Sequence, residues 1–159
     1  MGDVIRALTA ADRAAVCRIL QACGAFTPEE VAVALELVDD AIVRGGEGDY
    51  RAFVADRGDE VRGYVCIGKT PMTATTWHLY WLCVAPEAWG RGVGRALQAY
   101  VESFVRRSGG ERLVLEASSQ PGYRRARRFY EANGYRQVGC IPDFYKANDD
   151  CLVYCKALT

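Results

Sequence analysis

Three glycines at every second position, Gly90, Gly92 and Gly94, separate an apolar strand from a long amphipathic helix. The segment from 79 to 84 is apolar enough for a buried strand, and apolar side chains recur at helical spacing from 93 to 105. Glycine has no Cβ, so a ligand can approach the backbone closely. The helix that follows adds unpaired N–H groups and the positive end of its dipole. This feature therefore predicts a strand–loop–helix unit whose backbone N–H groups bind a pyrophosphate.

The spacing of these glycines excludes two common phosphate-binding loops. A dinucleotide fingerprint, Gly-x-Gly-x-x-Gly, would need a third glycine at Arg95 or Leu97. A P-loop needs Gly-Lys-Ser/Thr, and no lysine of this chain stands in such a loop. The segment instead reads Gly-Arg-Gly-Val-Gly-Arg-Ala-Leu after a strand that ends in Val-Ala-Pro. A glycine-rich turn before an ordinary core helix is the alternative interpretation.

Length and charge restrict the class of protein. The chain has 159 residues, 50% of them hydrophobic, and its 20 basic side chains balance 20 acidic ones. We therefore expect a single domain over residues 1–159 that has neither nucleic acid nor a membrane as a partner. The N-terminus lacks a basic region followed by an apolar one, and no apolar run reaches 18 residues, so we expect a cytoplasmic protein.

Seven cysteines and a single histidine raise the questions of a metal site and of a catalytic thiol. No pair of cysteines has Cys-x-x-Cys spacing and one histidine cannot complete a zinc-finger site, so no metal is expected. Most of the cysteines lie in apolar runs, where a reduced thiol behaves as a small hydrophobe. A nucleophilic pair of Cys83 and His78 is disfavoured, because one strand holds both at about 17 Å from each other.

Capping and turn signals give the order of the elements. Thr27, Pro28 and Glu30 have the pattern of a helix start with a capping box. A turn around Gly58 joins two strands, and the pair Asn133-Gly134 ends the last helix. Taken along the chain, these signals predict the order β-α-α-β-β-β-α-β-α-β-β.

Two segments in this order resemble the GCN5-related N-acetyltransferase (GNAT) superfamily. The first resembles its acetyl-CoA signature, Gln/Arg-x-x-Gly-x-Gly/Ala: Gly92 and Gly94 match, and Trp89 stands in place of Gln or Arg. The second, from 126 to 135, resembles the superfamily's Ala-x-x-Phe-Tyr-x-x-x-Gly-Phe/Tyr. The resemblance covers nearly the whole chain. It implies a mixed, mostly antiparallel central sheet of six to seven strands flanked by four helices.

The resemblance implies that acetyl-CoA is the co-substrate. The backbone at the end of the central strand would bind the pantetheine arm, and an N–H near Val84 would polarise the thioester carbonyl. The pyrophosphate would lie on the glycine loop, where Arg91 and Arg95 add charge or simply form a solvated face. Tyr123 stands where many members have an asparagine that contacts the cofactor. The expected cofactor-binding residues are Leu82, Cys83, Val84, Gly90, Arg91, Gly92, Val93, Gly94, Arg95 and Tyr123.

The same resemblance suggests the proton-transfer residues. Tyr130 matches the tyrosine that protonates the leaving thiolate in many members, and the alternative is a core aromatic. Glu116 matches a carboxylate base of the ribosomal-protein N-terminal acetyltransferases. His78 lies where the histone acetyltransferases carry a glutamate, and histidine titrates near neutrality. Both side chains could instead be structural, with water alone removing the proton from the amine.

Periodicity assigns some of these side chains to faces. Alternation along the strand before the glycine loop places Tyr80, Leu82 and Val84 on the same face as His78. In the last helix the apolar face includes Tyr130, so most of the four arginines around it are expected on the exposed side, and the alternative is contact with the 3′-phosphate of CoA or with an RNA. The four arginines are Arg124, Arg125, Arg127 and Arg128.

By resemblance, the acceptor pocket is formed by the first two helices and the loop between the last two strands. Phe26, Asp143 and Tyr145 are the candidates there, and acids with aromatics suit a cationic amine. We expect direct acetyl transfer to a primary amine of a small molecule or amino acid. The alternatives are a protein N-terminus or lysine as acceptor, or a non-catalytic sensor that binds acyl-CoA. Many members dimerise through late strands, so a homodimer is also among the expectations.

Overall fold

The computed structural model describes residues 2–159, in which seven strands and four helices follow the predicted order. The strands are β1 (Val4–Ala7), β2 (Tyr50–Arg57), β3 (Glu60–Lys69), β4 (Thr76–Val84), β5 (Arg112–Ser118), β6 (Arg136–Lys146) and β7 (Asp149–Ala157). The helices are α1 (Arg13–Ala22), α2 (Pro28–Arg44), α3 (Val93–Arg107) and α4 (Arg124–Ala132). The predicted mixed α/β fold with a mostly antiparallel sheet is confirmed.

All seven described strands belong to one sheet, in the order β1-β2-β3-β4-β5-β7-β6. β4 and β5 run parallel, whereas the other neighbours are antiparallel. The parallel register covers only Thr76–His78 against Arg112–Val114. Beyond His78 the two strands separate, so the backbone of β4 on that side has no strand partner. A cleft therefore opens in the middle of the sheet.

A β-bulge in β4 changes which side chains share a face. Cys66 of β3 pairs with Trp81, and the next residue of β3 pairs with Leu79, so Tyr80 is the extra residue. The ring of Tyr80 contacts Tyr50 at 5.4 Å, on the face where Trp81 contacts Phe26 at 5.2 Å. Two successive side chains thus lie on one face of the sheet.

The bulge overturns the expectation that Tyr80, Leu82 and Val84 share the face of His78. His78 does stack on Tyr80, with ring centroids 4.6 Å apart. Val84 lies on the opposite face, where it packs near Gly94 of α3. Simple alternation failed here because a bulge inserts one residue and reverses every side chain that follows.

Two helices cover each face of the sheet. On one side, Cys83 of β4 lies 3.8 Å from the Ile19 carbonyl of α1, and Val38 of α2 is fully buried. On the other side, Trp77 of β4 packs edge-to-face on Phe104 of α3. The predicted capping box starts α2: Thr27 and Glu30 exchange hydrogen bonds of 3.1 and 3.2 Å. None of the described helices is long and apolar enough to cross a membrane.

Gly110, which follows α3, lies where the packed core leaves no room for a side chain. A Cβ there would overlap the Val105 side chain and lie 2.6 Å from Cδ1 of Trp77. We predict that Gly110→Ala lowers the free energy of unfolding by about 2 kcal/mol, because a packed core does not expand freely. Gly46→Ala is the control, since a Cβ there has no neighbour within 4 Å. Thermal unfolding followed by circular dichroism would contradict the prediction if both variants melt alike.

Candidate active site

A cavity of about 700 Å³ opens where β4 and β5 separate. Its wall is formed by the α1–α2 loop, the end of β4, the glycine loop and one face of α4. This size is typical of pockets that bind small molecules and cofactors. The lining residues that the sequence predicted are Phe26, Leu82, Cys83, Val84, Gly90, Gly92, Val93, Gly94, Arg95 and Tyr130.

The end of β4 presents unpaired backbone groups to this cavity. The N–H of Ala85 donates to the carbonyl of Arg62 in β3 at 2.8 Å. Since hydrogen-bonded and non-hydrogen-bonded pairs alternate along antiparallel strands, Val84 and Leu82 point their N–H and C=O groups away from β3. Both groups of Leu82 and the N–H of Val84 stay unpaired there, whereas the Val84 carbonyl accepts a hydrogen bond from Trp89. The backbone of Cys83 pairs with β3 instead, and its side chain lines the cavity.

The glycine loop is shaped by left-handed backbone conformations. Gly90 and Gly92 have φ of 73° and 83°, and a Cβ at either position would have no neighbour within 4 Å. Gly92 is the N-cap of α3 and provides no side-chain cap, so the first N–H groups of the helix stay free for an anion. Gly94 has a different role, because a Cβ there would lie 3.1 Å from Phe129 of α4. Arg95 lines the cavity, whereas Arg91 is exposed outside the lining.

Trp89 joins the glycine loop to two other parts of the site. Its indole N–H donates to the Val84 carbonyl at 2.9 Å, and the Arg125 guanidinium lies 3.9 Å from the ring centroid. Trp89 and Arg125 both line the cavity. Arg127 also points inward, since it donates to two backbone carbonyls near the end of β5. Arg125 thus lies at the exposed rim of the cavity and Arg127 is half-buried, while Arg124 and Arg128 are exposed, as expected for most of the four arginines.

Tyr130 lies on the cavity side of α4 and is buried, with 8% of its surface exposed. Its ring packs edge-to-face on Phe129 and Tyr135, each with centroids 5.5 Å away. Burial raises the pKa of the Tyr130 hydroxyl above its ordinary value of 10. The hydroxyl therefore keeps its proton at neutral pH, which is the state that a general acid needs.

Cys83 lies on the same cavity wall as a neutral thiol. A hydrogen bond with Cys23 and burial raise the pKa of the Cys83 thiol. A nucleophilic cysteine needs the opposite shift, because the thiolate is the reactive species. The side chain of Cys83 thus has the properties of a packing group. This agrees with the expectation that Cys83 and His78 do not act as a nucleophilic pair.

His78 and Glu116 are brought together on the face of α1 and α2. His78 pairs with Val114 in the parallel register, so Glu116, two residues further along β5, points to the same side. Burial lowers the pKa of His78, and the negative charge of nearby Glu116 opposes this shift. The imidazole is therefore neutral at pH 7 and able to accept a proton. The structure thus places both candidate bases on the α1–α2 face of the sheet, and neither is among the residues that line the cavity.

Tyr123 does not line the cavity, although the preceding Gly122 does. Its hydroxyl lies 3.1 Å from both the Ala25 carbonyl and a carboxylate oxygen of Glu30. Burial and the Glu30 charge raise the pKa of Tyr123. Tyr123 thus connects the β5–α4 turn with the α1–α2 loop. The cofactor contact expected for it stays a prediction, and the structure gives its hydroxyl other partners.

The three acceptor candidates have different surroundings. Phe26 lines the cavity and packs on Trp81. Tyr145 is close enough to Glu116 for the carboxylate to contribute to its raised pKa, whose main cause is burial. Asp143 is exposed, and its carboxylate accepts the Asn148 N–H at 2.8 Å inside the β6–β7 hairpin. Asp143 therefore stabilises the turn, and its contact with an acceptor stays a prediction.

Several cavity residues escaped the sequence-based reasoning. Arg125 and Phe129 follow one another at helical spacing on the face that carries Tyr130, so a periodicity search from Tyr130 could have found them. Cys23 and Ala25 gave no such signal, because their place depends on how the α1–α2 loop folds back onto β4. Among residues 2–159, no three metal-ligating side chains converge as a metal site would require. The expectation of a metal-free reaction stays a prediction.

Residues 14–135 match the model of the acetyltransferase (GNAT) family. The chain belongs to this family. GNAT membership confirms the resemblance seen in the sequence and the prediction of an N-acetyltransferase. Among curated proteins, no sequence matches this chain.

Solved structures agree with the GNAT assignment. A GNAT-family protein from Desulfovibrio desulfuricans is 39% identical, with 99% of each chain covered and a TM-score of 0.95. The ribosomal-protein-S18-alanine N-acetyltransferase from Escherichia coli is 20% identical, with 99% and 94% covered and a TM-score of 0.77. PaiA N-acetyltransferase from Thermoplasma acidophilum, solved with coenzyme A, is 17% identical, with 99% of each chain covered and a TM-score of 0.77. The last two show the same fold.

Proposed function

We propose that this GNAT protein transfers an acetyl group from acetyl-CoA directly to a primary amine of a small molecule or amino acid, as one domain over residues 1–159. The observation that carries the proposal is the convergence of three features on one cavity. These are the free backbone of β4, the glycine loop with the N-terminus of α3, and the buried hydroxyl of Tyr130. Together they match the binding and chemistry that transfer from a thioester needs.

Each part of acetyl-CoA has a matching group in the cavity. The free backbone N–H and C=O groups of Leu82 suit the amides of the pantetheine arm, since an extended arm can bond to an unpaired strand edge. The loop from 90 to 95 offers N–H groups to the pyrophosphate, and Arg95 adds a positive charge. Acetyl-CoA would supply the activated acetyl thioester. The protein's task is then to hold the thioester, polarise it and move two protons.

The residues divide these tasks. The N–H of Val84 would donate to the thioester carbonyl, where negative charge develops when the amine attacks. Tyr130 would give its proton to the leaving sulfur. His78 or Glu116 would accept the proton of the amine, directly or through water, from the other side of the cleft. Cys83, whose thiol is held neutral, is not expected to form an acyl-enzyme.

The acceptor is proposed to be cationic before it reacts. Aromatic rings surround the α1–α2 side of the cleft, among them Phe26, Trp81 and Tyr80. Glu116 adds the negative charge whose effect reaches both His78 and Tyr145. Aromatic faces and a carboxylate attract an ammonium group, and the neutral imidazole can then remove its proton.

The pH dependence of the reaction distinguishes the two bases. Because the pKa of His78 is lowered, the imidazole stays in its base form until the pH falls below its ordinary value of 6.5. With His78 as the base, we predict a rate that is constant above pH 6.5 and decreases below it, and that loses this acid limb in His78→Gln. Steady-state rates between pH 5 and 9 test this. An unchanged acid limb in His78→Gln, but not in Glu116→Gln, would assign the base to Glu116.

The first test of the function is calorimetric titration with acetyl-CoA, with CoA and NAD as comparators. Micromolar binding of acetyl-CoA without binding of NAD supports the proposal. An amine screen read by product mass then identifies the acceptor, and it includes peptides so that acetylation of a protein N-terminus or lysine is also seen. Binding without turnover of any amine would indicate a sensor of acyl-CoA. No binding would contradict the function.

The exposed edge of the sheet supports a homodimer. β6 spans Arg136–Lys146 at the end of the strand order, and its Val138 and Phe144 side chains are 65% and 52% exposed. Apolar side chains on a long unpaired edge favour pairing with another chain. Light scattering after size exclusion should give twice the mass of one chain.

The seven free cysteines further support a reducing, cytoplasmic location.

A further inference from the structure

Trp89 occupies the position where the acetyl-CoA signature has glutamine or arginine, and two contacts suggest why a tryptophan is useful there. Its indole N–H reaches back to the Val84 carbonyl at the end of β4, and its ring lies under the Arg125 guanidinium of α4. These contacts connect the two walls of the cavity. The side chain is 39% exposed, so burial of the indole does not by itself explain its place.

We propose that Trp89 is a positioning residue that fixes the last peptides of β4, so that the N–H of Val84 is the free group offered to the thioester carbonyl. The inference rests on the proposed function and adds a residue that the family signature does not contain. Arg125 has a supporting part, because it holds the indole ring in place from the opposite wall.

The peptide between Val84 and Ala85 is held at both ends. Its N–H, from Ala85, donates to the Arg62 carbonyl of β3 at 2.8 Å, and its C=O accepts from Trp89 at 2.9 Å. The preceding peptide is held by the pairing of Cys83 with Tyr64. Val84 therefore lies between two fixed peptides, and the direction of its N–H is fixed as well.

The hydrogen bond from Trp89 also changes the electrostatics of the cleft. Without it, the Val84 carbonyl would present its negative end to the same space in which the thioester oxygen gains charge. The hydrogen bond from the indole N–H occupies the Val84 carbonyl. The Val84 N–H can then donate to the thioester oxygen without a competing acceptor beside it. Donors that are oriented before the reaction stabilise developing charge without reorganisation.

Arg125 links this arrangement to the proton donor. Its guanidinium lies 3.9 Å from the centroid of the Trp89 ring, within the range of a cation–π interaction. Arg125 and Tyr130 belong to the same helix, α4, and both line the cavity. The strand that would hold the thioester and the helix that carries the acid are thereby connected through one indole.

The test compares affinities for acetyl-CoA and CoA, which differ only in the acetyl group that the Val84 N–H would contact. Trp89→Phe keeps an aromatic ring for Arg125 and loses the N–H. We expect the preference for acetyl-CoA over CoA, measured by calorimetry, to fall by about fivefold, the size of one hydrogen bond. The affinity for CoA itself should stay within about twofold, a selectivity that a general loss of structure would not produce.

Matched variants sharpen this experiment. Trp89→Gln supplies an amide N–H and should retain part of the preference for acetyl-CoA. Arg125→Gln should reduce the preference, whereas Arg124→Gln, at an exposed neighbour, should not. An unchanged ratio of affinities in a folded Trp89→Phe protein would overturn the role of Trp89 alone. If the unchanged protein binds neither ligand, the proposed function fails and the role of Trp89 fails with it.

Discussion

Tyr130→Phe is expected to lower kcat by at least about 100-fold while the dissociation constant of acetyl-CoA changes by less than about twofold. The substitution removes one oxygen atom from a ring that is otherwise held by Phe129 and Tyr135. Because burial raises the pKa of Tyr130, the hydroxyl is protonated throughout the pH range in which amines react. Its loss leaves the departing sulfur without a proton donor, which affects the chemical step more than binding.

Tyr135→Phe is the matched control for this experiment. Tyr135 is also buried, and its hydroxyl accepts a hydrogen bond from Gln98 at 2.6 Å, but it does not line the cavity. We expect a loss of stability of about 1 kcal/mol from the missing hydrogen bond, with kcat nearly unchanged. Steady-state kinetics with an acceptor from the amine screen, together with calorimetry, measure both effects. Equal kcat for Tyr130→Phe and the unchanged protein would exclude Tyr130 as the acid.

Gly92→Val is expected to weaken acetyl-CoA binding by at least about 100-fold, the largest effect that we predict for any loop position. Gly92 has a φ of 83°, which β-branched residues rarely adopt, and a backbone in such a region costs about 1–3 kcal/mol. Since Gly92 is the N-cap of α3, relief of the strain would move the first N–H groups of the helix. Those N–H groups are the proposed pyrophosphate donors, so several hydrogen bonds would be lost together.

Gly58→Val separates this effect from general backbone strain. Gly58 has a φ of 58° in the β2–β3 turn, and a Cβ at either glycine has no neighbour within 4 Å. Both variants should therefore lose similar stability in thermal unfolding, and only Gly92→Val should lose affinity in calorimetric titration. Parallel losses of affinity in the two variants would show that the glycine loop has no special part in binding.

Local features of the fold were predictable because their causes lie close together in the chain. The capping box that starts α2 joins Thr27 and Glu30, which are three positions apart, and it has the predicted hydrogen bonds. Three glycines between a strand and an amphipathic helix were enough to predict where a cavity would lie. The motif singled out Tyr130, which lines the cavity. Helical spacing from Tyr130 could have added Arg125 and Phe129 to the predicted lining.

Contacts between distant segments were beyond the reach of such rules. Strand alternation failed at Tyr80, because a bulge is a property of the pairing of β3 with β4 and not of either strand. Tyr123 and Arg125 received new partners because the α1–α2 loop and the glycine loop fold against the N-terminal end of α4.

The sequence by itself therefore determined the order of elements, the glycine loop and the family resemblance, since each depends on residue types at short spacing. Only the tertiary structure decided that β4 and β5 separate after His78, that Glu116 shares its face, and that Trp89 reaches the Val84 carbonyl. The physical reason is that register and long-range packing are set by the whole sheet at once. No short segment contains that information.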